Sequence, residues 1–157
     1  MSQQGVRGYY QLTQTIREEL FSSLFVNTIS IGDISKVNLN KQDIFPLSHI
    51  IVNSVSVEAQ VLSFNISILA CDVVEQTKEE TTNRFTGEDN EQDILNTQLA
   101  VLNKLIQRLR MGDLHQDMYQ LEGSPSLTPF HDRFENELAG WSATMNVLIY
   151  NDIYICQ

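Results

Sequence analysis

The sequence predicts a single α+β domain over residues 1–157, in which two helices pack on one face of a mostly antiparallel sheet. Two segments carry apolar residues at helical spacing, and several others alternate apolar and polar residues as half-buried strands do. The chain is also long enough for one compact core, which would bury roughly 70% of the surface that the unfolded chain exposes. Extended loops are expected between these elements.

The first helix is predicted over residues 9–24, because apolar side chains recur there at intervals of four. They are Leu12, Ile16, Leu20 and Leu24. This spacing places one apolar stripe on a helix of about four turns. β-prone residues follow at 26–31, so we expect a first strand there, which ends at Gly32.

The next two strands are predicted to form an antiparallel pair. Residues 47–52 are apolar on both faces and follow Pro46, which suits the beginning of a strand because proline cannot donate to the ladder. Residues 62–71 alternate, with apolar side chains at Leu62, Phe64, Ile66, Ile68 and Ala70. This pattern is typical of a half-buried strand, and we expect a turn around residues 53–60 between the two.

An acidic segment over residues 75–93 separates these strands from the second helix. It holds seven acidic and two basic residues. Its net charge of −5 is half of the net charge of −10 that the whole chain carries. A connection this long is uncommon in a compact domain unless it works at an interface, so we expect an extended loop that contacts other subunits. The interface candidates in it are Glu79, Glu80, Arg84, Phe85, Glu88 and Asp89.

The second helix has the strongest helical pattern in the chain. Asp89 and Asn90 are candidate N-caps, and acidic residues in the first turn suit the helix dipole. A broad apolar face follows, formed by Ile94, Leu95, Leu99, Leu102, Leu105, Ile106 and Leu109. Arg108 and Arg110 lie where cations are favoured, and Gly112 is placed just after the C-cap.

Residues 113–140 are predicted as a loop-rich insertion, with short strands at 118–121 and 127–134. Turn residues at 123–125 and 128–129 carry this prediction. The interface candidates here are Pro125, Pro129 and Phe130. The last strand is predicted over 141–150, where apolar residues again occupy alternate positions.

The charge balance is acidic, since twenty acidic and ten basic residues give a net charge of −10. This excludes the basic footprint of a protein that grips nucleic acid on its own. Cys71 and Cys156 lie far apart and outside any CxxC pair, which indicates reduced thiols. The N-terminal residues lack an apolar core, so we expect no secretion signal, and no apolar run approaches the ~18 residues of a membrane span.

No residue pattern predicts catalysis. Asp113, His115 and Asp117 could share one face of an extended segment, but a further His or Cys at ligand spacing is missing, so we expect solvated residues there. His131 is expected in a charged turn, and His49 in a hydrogen-bonded core or in a contact between subunits. We therefore predict no enzyme activity, no cofactor, and no catalytic, metal or cofactor-binding residues.

Three blocks of sequence, taken with the order of the predicted elements, resemble a known family. The blocks are DIFPLSHIIVN at 43–53, DNEQDILNTQ at 89–98, and FEN with LAGW at 134–136 and 138–141. They resemble the tail terminator or tail completion proteins of tailed bacteriophages, and most closely the neck ring proteins of crAss-like phages. The likeness covers residues 9–156.

The resemblance implies a structural virion protein that is made in the cytoplasm of a host bacterium. It would form a closed ring, six- or twelve-fold, in the head-to-tail connector and would contact portal, neck or tail proteins. Genomic DNA would pass through the ring without sequence-specific binding, and no membrane would be involved. A net charge of −10 agrees with a channel that does not hold phosphate.

The candidates for the lining of such a channel are Glu79, Glu80, Glu88, Asp89 and Glu91. A negative wall repels a passing phosphate backbone over about one Debye length, ~8–10 Å. The alternative is that these acids only keep the outer surface solvated. Two other function classes also stay open: a free-standing α+β ligand-binding domain or small enzyme with an unrecognised acidic site, and a small chaperone-like domain that binds a basic partner.

Overall fold

A computed structural model describes most of the chain and confirms the α+β class. The residues described are 4–33, 44–74, 91–112, 117, 119–133 and 137–151. They form two helices, α1 (Gln4–Phe21) and α2 (Glu91–Arg110), and five strands. The strands are β1 (Thr28–Ile31), β2 (Leu47–Val57), β3 (Val61–Val73), β4 (Tyr119–Arg133) and β5 (Glu137–Tyr150).

The five strands form one sheet in the order β1-β2-β3-β5-β4. β1 runs parallel to β2, and the other three pairs are antiparallel, as the prediction of a mostly antiparallel sheet requires. The longest uninterrupted register joins β3 to β5, from Val61 opposite Tyr150 to Val73 opposite Leu138. Among the described residues, β1 and β4 are therefore the two edge strands.

Both helices pack on one face of this sheet, as predicted. Leu12, Ile16 and Leu20 of α1 are at most 2% exposed, and they share a cluster with side chains of α2 and of alternate positions on β3 and β5. The indole Nε1 of Trp141 on β5 donates to the carbonyl of Leu95 on α2 at 2.7 Å. Each fully buried Leu or Ile stabilises the fold by about 1.5–3 kcal/mol, so this cluster holds the helices to the sheet.

The opposite face is mostly polar but carries a small apolar cluster at one end. The buried side chains there are Phe45, Leu47, Cys71 and Leu138. Phe130 of β4 packs against them. Burial raises the pKa of the Cys71 thiol to about 12, and the Asp72 carboxylate adds to this shift. Cys71 is a buried free thiol in the described part of the chain, and Cys156 lies outside the described residues.

The turn between β2 and β3 is shorter than predicted. β2 continues to Val57 and β3 begins at Val61, and one backbone hydrogen bond of 2.9 Å closes the turn. The predicted turn over 53–60 was wrong, because its polar residues belong to the strand after a register shift between Val52 and Ser54. Polar strand residues on an open face resemble a turn in sequence.

The predicted loop between the short strands at 118–121 and 127–134 was also wrong, because one 15-residue strand, β4, spans both of them. Gly123 has a positive φ of 67° within a register shift between Glu122 and Ser126, so the turn residues form an irregularity inside the strand. Pro129 is tolerated because β4 is an edge strand, where the missing N–H can face away from the neighbouring strand.

The observed bounds of α1 and β5 differ from the predicted bounds by a few residues. α1 spans Gln4–Phe21 instead of 9–24, and β5 begins at Glu137, four residues earlier than predicted. α2 has acidic residues in its first turn and basic residues in its last turn, as predicted. The predicted N-cap residues, 89 and 90, lie outside the described residues.

Gly140→Ala is expected to destabilise the protein severely. A Cβ at Gly140 would lie 2.7 Å from Cys71 Cα and 2.9 Å from the carbonyl carbon of Ala70. Both are backbone atoms of β3, which cannot move without disturbing the longest register of the sheet. We expect a loss of several kcal/mol in the free energy of unfolding, measured with urea, in the range of the largest single-site effects.

The matched control is Gly8→Ala in α1. A Cβ at Gly8 would meet Leu62 Cδ1 at 3.5 Å and Ile149 Cγ2 at 3.6 Å, which are ordinary contacts. Glycine inside a helix is less stable than alanine by about 1 kcal/mol, so this change should be neutral or stabilising. Equal urea midpoints for the two variants would contradict the expectation.

Candidate functional site

His49 is fully buried and uses both of its ring nitrogens. Its Nδ1 lies 2.6 Å from Ser30 Oγ, and its Nε2 lies 2.8 Å from the carbonyl oxygen of Gly32. Because a carbonyl only accepts, Nε2 carries the proton and donates to Gly32, and the Ser30 hydroxyl donates to Nδ1. These bonds join β1 to β2 in addition to the parallel ladder. Of the two expectations for His49, the structure shows the hydrogen-bonded core position.

The environment of His49 favours the neutral ring. Burial lowers its pKa below the ordinary value of 6.5, because the charged form loses its hydration. The hydrogen bond to Gly32 and the carboxylate of Asp33 act in the opposite direction and offset only part of this effect.

Ser30, His49 and the Gly32 carbonyl also have the order of a nucleophile, a base and a group that orients the base. The Ser30 side chain is half-buried at the edge of the sheet, whereas the His49 ring is buried completely. Such a pair could activate the serine for attack on an acyl group only if a substrate reached the outer side of β1.

His131 Nε2 lies 2.8 Å from Glu137 Oε1, within the distance of an ion pair. The prediction of a charged turn was wrong, because His131 lies on β4, opposite Ala139 of β5. The Glu137 side chain is 8% exposed, so the imidazole ring of His131 is a polar neighbour of a nearly buried carboxyl group.

The suggested metal motif does not come together in the part of the chain that the structure describes. Asp113 and His115 lie outside that part, and Asp117 is exposed. Over residues 4–33, 44–74, 91–112, 117, 119–133 and 137–151, no three potential ligands converge on one point.

A row of uncharged polar side chains crosses the open face of the sheet. Asn65 on β3 donates to Asn146 on β5 and accepts from Asn53 on β2, each at 2.9 Å. Ser67 accepts from Asn53 at 2.8 Å and lies 3.1 Å from Thr144 Oγ1. We call these five residues the polar ladder. Its members satisfy one another across three strands, and the ladder offers no charge to a phosphate group or a metal ion.

A groove of about 240 Å³ lies between α1 and the edge strand β1. It is lined by Tyr9, Tyr10, Thr13, Gln14, Arg17, Ile29, Ser30, Ile31 and Ile50. We call it the α1–β1 groove. Within the described residues β1 pairs only with β2, so its outer N–H and C=O groups run along the groove without a strand partner.

Exposed apolar side chains are frequent on the two elements that form this groove and on the connection between them, and Tyr9, Tyr10 and Ile31 line the groove itself. Of the ten exposed large hydrophobic residues in the described ranges, six lie on α1, on β1 or between them. They are Tyr9, Tyr10, Phe21, Leu24, Phe25 and Ile31. Leu24 is 97% exposed and Tyr10 71%. Apolar residues grouped on one side of a protein are typical of a contact surface.

The sequence analysis missed this surface. It used the spacing of Leu12, Ile16 and Leu20 to define one buried face and extended that face to Leu24, which is exposed after the end of α1. Two neighbouring tyrosines and one phenylalanine off the buried stripe were the available signal. That signal was weak, because apolar residues beside a stripe are common in helices.

Most of the predicted interface residues lie outside the described residues, namely Glu79, Glu80, Arg84, Phe85, Glu88 and Asp89. The other three lie on β4, at the opposite edge of the sheet from the α1–β1 groove. Pro129 is exposed, whereas Pro125 and Phe130 are half-buried. Glu91, a channel candidate, is half-buried at the start of α2.

The sequence matches no protein-family model, and no curated protein matches it significantly. None of the described helices is long and apolar enough to cross a membrane.

The free energy of unfolding is expected to fall as the pH drops below 6.5. The folded protein keeps His49 neutral to a lower pH than the unfolded chain does, so in this window the unfolded chain binds more protons. The stabilisation is fully present above pH 6.5 and is lost as the pH falls toward the lowered pKa of the folded state. The slope from this group can reach about 1.4 kcal/mol per pH unit, and urea unfolding at several pH values measures it.

The variant His49→Gln should lose this part of the slope, whatever its stability at neutral pH. His131→Gln is the matched control, because it removes a histidine and leaves the ring at position 49 in place. If His49→Gln kept the wild-type slope, another group would have to be responsible.

Proposed function

We propose that this chain is a structural ring subunit in the head-to-tail connector of a tailed bacteriophage, around the DNA channel. One observation carries the proposal. Six of the ten exposed large hydrophobic residues of the described ranges lie on α1, on β1 or between them, and three of the six line the α1–β1 groove, beside a strand whose outer edge has no partner in the described part of the chain. Such a surface supports binding to another protein, and a second copy of this chain is the partner in a ring.

The two edges of the sheet differ, which supports a head-to-tail contact. β1 is short, contains no proline and lies beside the apolar groove. β4 is long and contains Pro125 and Pro129, and proline, which has no backbone N–H, is typical of edge strands that do not accept a further strand. An interface between unlike surfaces generates a closed ring when the rotation between copies closes.

The charge of the chain supports a passive role toward DNA. Each copy carries a net charge of −10, so a ring repels the phosphate backbone and releases no bound counterions from it. The same charge opposes association of the copies, and apolar contacts have to offset this repulsion. Its range is about one Debye length, ~8–10 Å at physiological salt.

The purified protein is expected to assemble into a closed multimer, six- or twelve-fold, of a 17.9 kDa chain. Light scattering coupled to size exclusion measures the mass, and electron microscopy of negatively stained particles shows whether the ring is closed. Raising the salt concentration from about 50 to about 300 mM should strengthen assembly, because it screens repulsion between acidic copies.

The opposite salt response would point to an interface held by ion pairs, and a monomer at all salt and protein concentrations would contradict the proposal. Tyr10→Ser and Ile31→Ser together should weaken assembly, since both side chains line the groove and are about half exposed or more. Leu99→Ser on α2 is the control, because Leu99 is also exposed but lies away from the groove.

A hydrolase is the second candidate, and the hydrogen bond of 2.6 Å between Ser30 and His49 favours it. A fluorophosphonate probe discriminates between the two candidates, because it labels a serine that is activated by a base. Labelling that disappears in Ser30→Ala would support the hydrolase, and a monomer with such labelling would replace the ring proposal.

A further inference from the structure

We propose that Arg17 in the α1–β1 groove of one copy pairs with Glu122 on β4 of the neighbouring copy, and that residues 123–125 of that neighbour enter the groove. We call residues 123–125 the β4 bulge. This inference rests on the proposed ring and names the contact that joins its subunits. The occupant of the groove is therefore a second copy of this chain.

The β4 bulge interrupts the ladder between β4 and β5. Between Glu122 and Ser126, three residues of β4 lie opposite the single residue Met145 of β5. Gly123 has a positive φ of 67° there, and both Gly123 and Ser124 are exposed. The extra residues of a bulge stay outside the ladder and bend the strand, so this part of the edge is shaped to contact a neighbour.

The groove and the β4 bulge lie at opposite edges of the molecule, as a head-to-tail ring requires. The groove lies beside β1 and the bulge belongs to β4, and these two strands stand at the two ends of the described strand order. Each copy in such a ring offers one surface to the copy before it and a different surface to the copy after it. A groove at one edge and a bulge at the other therefore suit a contact that repeats around the ring.

The two surfaces carry opposite charges. Of the nine described residues that line the groove, Arg17 alone is charged, and Glu122 is exposed beside the bulge. In the described ranges neither side chain lies within ion-pair distance of an opposite charge. Because each copy has a net charge of −10, a cation in the groove is where the acidic edge of a neighbour is attracted instead of repelled. Complementary charges of this kind fix the register of an interface.

The pair cannot form within one copy. Glu122 lies opposite Asn146, whose side chain belongs to the polar ladder on the open face, and directly opposed side chains share a face. Arg17 belongs to α1, which packs on the other face. Three strands also separate β1 from β4, a distance of ~19 Å across the sheet. The contact is therefore intermolecular.

Charge reversal tests the pair, with assembly measured by light scattering over a dilution series. Arg17→Glu and Glu122→Lys should each raise the protein concentration needed for assembly by about tenfold or more, because each places like charges in every contact. Both positions are exposed, so both variants should fold, and circular dichroism checks this. Glu122→Lys also makes each copy less acidic, which by itself favours association of acidic copies. Weaker assembly of this variant therefore requires a specific contact.

Glu58→Lys is the matched control for Glu122→Lys. Glu58 is exposed in the turn between β2 and β3, and its substitution changes the net charge by the same amount. The concentration needed for assembly should stay within about threefold of the wild-type value or fall below it. A loss of assembly as large as that of Glu122→Lys would contradict the assigned pair.

A mixture of the Arg17→Glu chain with the Glu122→Lys chain separates the pair from general effects of charge. In a ring that alternates the two variants, every contact again joins opposite charges, and six- and twelve-fold rings have the even number of copies that this requires. The mixture should assemble within about threefold of the wild-type concentration, and so should a single chain that carries both changes.

The remaining outcomes distinguish this inference from the proposed function. If the wild-type protein forms rings and neither the mixture nor the double variant restores assembly, Arg17 and Glu122 are not the contact, and the proposed function stands. If the wild-type protein forms no multimer, the proposed function fails, and the assigned pair fails with it.

Discussion

The antiparallel pairing of β3 with β5 is the interaction on which the rest of the structure depends. It joins two segments that are far apart in the chain, with α2 and β4 between them, in a register without a shift. Bringing these two segments together costs chain entropy, because the loop between them is long. Burial of the apolar face of the sheet under the helices offsets this cost. β2 and β4 then attach to the two outer sides of this pair, and α1 packs against it where Gly8 meets Leu62 and Ile149.

The register between β3 and β5 is determined by the different side chains on the two faces of the sheet. Ile66 and Met145 face the helices, whereas the neighbouring Asn65 and Asn146 belong to the polar ladder on the open face. A slip by one residue would exchange these faces, bury the amides and expose the core, so the alternation of side chains selects a single alignment. The ladder adds specificity through hydrogen bonds that only the correct neighbours can form.

The sequence predicts the parts of the fold in which periodicity and burial agree. The alternation at 62–71 and the apolar face of α2 have this property, and both elements are confirmed. The two ends of β4 were predicted as short strands at 118–121 and 127–134, but their continuity was missed because Gly123 and Pro129 are typical of loops, and only the edge position of the strand makes them acceptable. The bonds of His49 to Ser30 and Gly32 depend on the parallel pairing of β1 with β2, which no local pattern indicates. The α1–β1 groove likewise depends on which side of α1 stays uncovered, a property of the packed domain rather than of the helix sequence.

The burial of Cys71 has a consequence for following the opening of the sheet. Its side chain lies in the small apolar cluster on the open face and belongs to β3, and its pKa of about 12 leaves almost no thiolate at neutral pH. A thiol reagent therefore reacts with it mainly in molecules in which this cluster has opened, since the thiolate is the reactive form. The rate of alkylation at this one sulfur then reports how often the β3 region becomes exposed, which makes a native side chain an intrinsic probe of the rare open states of the domain.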